Sequence, residues 1–223
     1  MKIIALAATT VTALALTAGT ANAAEFDFTD CPALPSGADP AEWRCEVLES
    51  RGVLSFGNVR DLRMGAVRLT FAEGRLDGEY AQVFGALRSK PVRVPGVPGA
   101  RVALRCGGHP DFLSDDERKG EIDLAITVSG PLLPTGCTIG DEDDPIRSVL
   151  QPVGETEVVS QDPPTLRFAT VDEQLGFPAS DCGRWTGLLD HRLGLPSPSG
   201  ANVLEQTTHV QLRSYESAST VSR

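Results

Sequence analysis

The chain is 223 residues long, with 30 Asp and Glu against 20 Lys and Arg and a formal net charge of −10. That balance excludes a whole-surface attraction to nucleic acid, and an aromatic content of 5% leaves few of the flat platforms on which carbohydrate-binding surfaces are built. The charge is unevenly spread, since residues 51–105 hold ten basic side chains against four acidic and residues 106–223 hold eight against nineteen.

Met1 to Ala23 reads as a secretory signal peptide. Lys2 gives the positive start, Ile3 to Leu16 an apolar run broken only by Thr, and Ala21-Asn22-Ala23 the small-residue cleavage site. The run is well short of the roughly 20 residues a spanning helix needs, and no second run of that length follows. The expected product is a secreted, extracellular protein with no membrane span. Residues 24–223 would form one β-rich domain of 200 residues, beginning with an irregular segment, 24–40, that carries Pro32, Pro35 and Pro40, and ending in a polar tail, 216–223.

Asp39-Pro40-Ala41-Glu42 has the chemistry of a capped helical turn. Trp43, Cys45 and Val47 then alternate with Arg44 and Glu46, and Val67, Leu69 and Phe71 with Arg68 and Thr70; both patterns predict strands. Tyr80 to Leu87 is a further strand. Pro91, Pro95, Pro98, Gly96 and Gly99 break regular structure between Lys90 and Arg101, and Val102 to Leu104 resumes it. Ile122, Leu124, Ile126 and Val128 form the clearest alternation, followed by Ile146 to Leu150, Leu166 to Val171 and Leu204 to Leu212. One helix is predicted at Trp185 to Leu193, stopped by Pro196. Short strands punctuated by Gly and Pro predict an all-β fold, an antiparallel β-sandwich with one short helix.

The five cysteines, Cys31, Cys45, Cys106, Cys137 and Cys182, suit an oxidising compartment and allow fifteen arrangements of two bridges and one free thiol. Cys106-Gly107-Gly108-His109 places a thiol and an imidazole close together, but Gly-Gly-His-Pro is turn chemistry and no further ligand can be named. Asp141, Glu142, Asp143 and Asp144 supply hard oxygen ligands suited to calcium, yet Pro145 interrupts the loop, so a solvated acidic turn is the expectation. Asp115-Asp116-Glu117 is read the same way. His109, His191 and His209 are too scattered for a metal site, and no Gly-x-Ser-x-Gly or Ser-x-x-Lys motif is present. No catalytic residue, cofactor or metal is assigned.

Cys31-Pro32-Ala33-Leu34-Pro35, Trp43-Arg44-Cys45-Glu46, Phe84-Gly85-Ala86-Leu87-Arg88, Cys137-Thr138-Ile139-Gly140 with Pro145-Ile146, and Cys182-Gly183 with Leu193-Gly194-Leu195-Pro196-Ser197 occur in that order. Together they resemble an uncharacterised actinobacterial secreted protein family. The resemblance implies a signal-bearing, β-rich protein and a pairing of Cys137 with Cys182, and it carries over no catalytic residue. Cys106 has no counterpart in the pattern, and the expected bridges are Cys31–Cys45 and Cys137–Cys182.

The functional expectation is a non-enzymatic β-sandwich that binds a cell-envelope or extracellular partner. Arg60, Arg63, Arg68, Arg75, Arg88 and Arg93 are the candidate anion-binding residues, sharing one solvent face if neighbouring strands align and meeting an anionic cell-wall polymer. Alternatively, these arginines pair across strands with Asp and Glu of the acidic second half. Two other functions stay open: a secreted hydrolase with a site assembled from distant residues, and a protease inhibitor offering Lys90 or Arg93 from the 90–101 loop.

Overall fold

The computed structural model describes residues 26–216. The expected signal peptide and the tail beyond Glu216 lie outside the described residues. Two antiparallel sheets pack face to face through a shared apolar cluster that includes Phe56, Phe71, Phe112, Ile126 and Val210. The β-sandwich with one short helix is therefore the fold. The first sheet has the order β10 (Gln151–Gln161), β11 (Pro164–Asp172), β13 (Val203–Ser214), β1 (Arg44–Phe56), β3 (Val67–Leu76) and β4 (Glu79–Ser89), with β2 (Val59–Arg63) paired to the far end of β1. The second has the order β12 (Ser180–Asp181), β8 (Thr138–Ile139), β7 (Glu121–Ser129), β6 (Arg101–Asp111) and β5 (Val92–Arg93), with β9 (Ile146–Val149) paired to β7.

β1 is buried on both faces, which the short alternation around Trp43 does not reveal. Leu48, Leu54 and Phe56 join the core between the sheets, while Cys45 and Val47 face the other way and are equally buried. Their cover is the N-terminal segment. The Cys31–Cys45 bridge fastens it to β1, the Tyr215 hydroxyl donates to Pro32 O at 2.7 Å, and the Arg213 guanidinium lies 4.1 Å from the centre of the Phe28 ring. Gly85 lets it approach β4, because a Cβ there would stand 2.3 Å from Asp30 O. The Asp39 carboxylate caps the short turn Pro40–Glu42 by accepting from Ala41 N at 3.0 Å.

The helix α1 spans Thr186–Leu193 after a 3-10 turn at Gly183–Trp185, and it ends at Gly194 rather than at Pro196. Gly194 takes the left-handed conformation (φ 72°), and its N–H donates to Asp190 O. Leu189 and Leu193 bury one face of the helix. The Cys137–Cys182 bridge holds the turn that starts the helix against the loop before β8. Both expected bridges, Cys31–Cys45 and Cys137–Cys182, are present, and Cys106 is the free thiol.

Cys106-Gly107-Gly108-His109 is not a turn. It lies within β6, where the register with β7 shifts between Cys106 and Pro110, so the two glycines form an irregularity in a continuous strand. Gly107 is required there, since a Cβ would press within 2.7 Å of the Leu124 backbone.

Candidate functional site

The six candidate arginines do not share one face. Arg68 and Arg88 stand directly opposite each other on β3 and β4, on the outer side of the first sheet, where the N-terminal segment lies over them. Arg68 donates to Glu49 Oε1 at 2.5 Å and to Asp27 Oδ2 at 2.8 Å, and Arg88 donates to Asp30 Oδ1 at 2.6 Å. Their partners thus come from β1 and the N-terminal segment, not from the acidic second half. The hydrogen bond from Arg88 is the main cause that holds the Asp30 carboxyl below its ordinary value. Arg75 donates to Gly78 O within its own hairpin. Arg60 and Arg63 are exposed on β2, and Arg93 belongs to the second sheet.

Arg93 has an unforeseen neighbour. The two-stranded register of β5 and β6 sets it directly across from Arg101, both side chains are exposed, and neither forms an ion pair among the described residues. Like charges directly opposed across strands repel. The two arginines line a cavity of about 730 Å³ with the loop 94–100 and the start of the loop after β7. That wall is stiffened from within: Val94 N donates to Ala100 O, Ala100 N to Val97 O, and both Val94 and Ala100 are buried. Gly96 and Gly99 take positive φ values of 79° and 77°, which lets the loop fold back on itself.

The same loops form one side of a second groove, of about 480 Å³, whose other side is α1. Its lining is apolar, with Leu132, Leu133, Trp185, Leu188 and Leu189, and Arg192 is the one charged side chain among the residues that line it. Leu132 and Leu188 are 74% and 51% exposed. Arg184 lies over the Trp185 ring, 5.5 Å from its centre. Asn58 N donates to Leu193 O at 2.7 Å, so β2 with Arg60 and Arg63 borders the same end of the sandwich.

The opposite end holds a different arrangement. A cleft of about 440 Å³ opens between the sheets, lined by apolar residues such as Phe71, Phe112 and Phe168 and by the polar group Arg44, Glu46, Glu73 and Tyr80. Arg44 and Glu46 on β1, and Phe71 and Glu73 on β3, project to one face because each pair is two residues apart on neighbouring strands. Arg44 donates to Glu46 Oε1 at 3.0 Å and to Glu73 Oε1 at 2.8 Å, and the Tyr80 hydroxyl donates to Glu73 Oε2 at 2.6 Å. Two carboxyls in apolar surroundings meet one guanidinium, and the pair keeps a proton. Burial, and then the Glu73 charge, push the Glu46 carboxyl up to about 8. Burial acts on Glu73 in the same sense, but hydrogen bonds from Tyr80 and Glu46 and the Arg44 charge outweigh it and hold Glu73 below its ordinary value. Burial, and then the hydrogen bond to Glu73, raise the Tyr80 phenol.

The remaining candidates stay apart. The Cys106 thiol donates to Gly108 O at 3.2 Å, and His109 is exposed on the same strand. His191 is exposed on α1, while His209 lies on β13 opposite Glu49 and Arg167. Asp141 Oδ1 accepts from the backbone N–H groups of Asp143 and Asp144 at 2.9 Å, so one of its oxygens closes the acidic loop on itself. Among the described residues no group of three or more His, Cys, Asp or Glu is placed to hold a metal ion, and no helix is long and apolar enough to cross a membrane.

The fold and these two ends define a disulfide-bridged antiparallel β-sandwich with a basic, partly apolar loop end. No family model, curated protein or solved structure matches the chain.

Proposed function

We propose that this is an extracellular, non-enzymatic binding protein that holds an anionic polymer of the cell envelope at the cavity between Arg93 and Arg101. The observation that carries this reading is the direct opposition of two exposed arginines that form no ion pair among the described residues. An anion placed between them relieves their repulsion and forms charge-assisted hydrogen bonds with both forks. Two disulfides accord with an oxidising compartment. Arg68 and Arg88, already held by Asp30, Asp27 and Glu49, are left out of the site.

Two alternatives are less well served. Glycoside hydrolysis needs carboxyl groups about 5 to 9.5 Å apart, whereas the Arg44 Nε donates to the Oε1 atoms of both Glu46 and Glu73, at 3.0 and 2.8 Å, and draws the two carboxyls together. Arg93, tied into the β5–β6 ladder beside Arg101, is better set to meet an anion than to enter a protease pocket.

Binding to purified anionic wall polymer, measured as sodium chloride is raised, tests the proposal. Affinity is expected to fall with ionic strength, to drop at least tenfold in the Arg93→Ala/Arg101→Ala double variant, and to persist in Arg68→Ala/Arg88→Ala. Binding that is lost only in the second pair, or no binding at low salt, overturns it.

A further inference from the structure

The basic cavity and the apolar groove are parts of one surface, since Gly96 to Ala100, Gly130 and Pro131 line both. Charge repulsion at Arg93 and Arg101 explains an anion site but gives no reason for exposed Leu132 and Leu188 beside it. Exposing large aliphatic side chains to water is unfavourable. Here they flank Trp185 at the open side of a groove within the size range of small-ligand pockets, about 300 to 1,000 Å³. Arg192 is the charged side chain that lines the groove, Arg184 lies over Trp185, and Arg93 and Arg101 line the adjoining cavity across the shared loop. The Asp190 carboxylate is not part of the lining and accepts from Ser180 N at 2.9 Å. Positive charge next to a confined apolar surface is complementary to a molecule with an anionic head and an aliphatic chain.

Building on the anion site proposed above, we infer that the ligand is an anionic amphiphile, its head between Arg93 and Arg101 and its chain in the groove formed by Leu132, Leu133, Trp185 and Leu188. A lipid-bearing end of an envelope polymer has this chemistry. The bridge Cys137–Cys182 and the hydrogen bond from Val128 N to Cys137 O keep the helix side of the groove fixed against the sheet, so the groove is preformed.

The test uses n-alkyl phosphates of four to ten carbons, kept below their critical micelle concentrations, with inorganic phosphate and anionic wall polymer as controls. Affinity is expected to rise about two- to fourfold per added methylene until the groove is filled. Leu132→Ser/Leu188→Ser, two exposed positions, should abolish that dependence and bring every alkyl phosphate to the affinity of the shortest one. Arg93→Ala/Arg101→Ala should weaken every alkyl phosphate. Polymer binding with no dependence on chain length overturns this inference and leaves the anion site standing, and no binding of either probe overturns both. Equal affinity for alkyl phosphates and alkyltrimethylammonium ions also overturns it. So does a dimer in sedimentation that Leu188→Ser dissociates, because a second copy would then fill the groove.

Discussion

Arg68 on β3 and Arg88 on β4 are direct cross-strand partners, and each is neutralised by an aspartate from the N-terminal segment, Asp27 and Asp30 respectively. A pair of like charges that sheet pairing alone would disfavour becomes the docking point for a strap. The same strap buries Cys45, Val47, Thr70 and Ala72 on the outer face of the first sheet.

Loss of the strap's covalent tether is expected to be costly. Cys31 and Cys45 are 14 residues apart, and closing a loop of that size stabilises by about 3 kcal/mol in the chain-entropy model. Cys31→Ala/Cys45→Ala should therefore lower stability by about 2 to 4 kcal/mol, whereas Arg88→Ala, which removes one solvent-screened exposed pair, should cost clearly less. Urea denaturation of the three proteins gives both numbers. Equal losses in the two variants would show that the ion pair, not the bridge, holds the segment.

Stability should decline as pH rises from about 4.5 to about 8. In the folded protein Glu46 keeps its proton up to about 8, while its ordinary value is 4.5. The unfolded chain releases that proton first, so unfolding gains ground as pH rises from 4.5 and the effect levels off above 8. Glu73 works in the opposite sense at acid pH, where its contribution is lost as pH falls below the ordinary carboxylate range. Glu46→Gln removes the first titration. The variant should match the parent near pH 4.5 and exceed it by about 1 to 3 kcal/mol at pH 8 to 9. Chemical denaturation across pH 4 to 9 is the measurement, and parallel profiles would reject the buried acid.

Asn202 is fully buried and binds four groups at the base of the helix end. Its Oδ1 accepts from Gly57 N at 3.1 Å and Ser197 Oγ at 2.7 Å, and its Nδ2 donates to Leu175 O at 2.7 Å and Pro198 O at 2.9 Å. Asn202→Ala strands these partners, at an expected cost of about 2 to 4 kcal/mol. Asn202→Asp, which loses both donors and buries a charge, should cost at least as much. Melting temperatures within a degree of the parent would show that the network is dispensable.

Gly57 and Gly194 touch across the same junction, and a Cβ on Gly57 would stand 2.1 Å from Leu193 O. With φ at 50°, that residue is also strained for any other side chain. Gly57→Ala should destabilise by about 2 kcal/mol or more and loosen α1 against β2. Hydrogen exchange at Asn58 N, which donates to Leu193 O, reads the local effect; unchanged protection there would contradict the close approach.

The β class, most of the strands and the single helix were legible in the sequence, because one-sided burial writes a period of two into residues such as Ile122 to Val128 and Leu189 and Leu193 lie one helical turn apart. β10 was not, since Val153 to Val159 are exposed on both faces; backbone pairing with β11 makes it a strand without a hydrophobic signature. The order of five cysteines left fifteen arrangements open, and where the bridges lead depends on the packed chain. Six arginines could be named from their numbers alone, yet a charge has no period, and only the fold decides its partner. Tertiary structure gave Arg68 and Arg88 to the N-terminal strap, placed Arg93 against Arg101, which sequence reasoning had passed over, and drew Glu46 and Glu73 to one guanidinium. Electrostatic function depends on distances of a few ångströms between residues far apart in the chain, and those distances exist only after the sheets have paired.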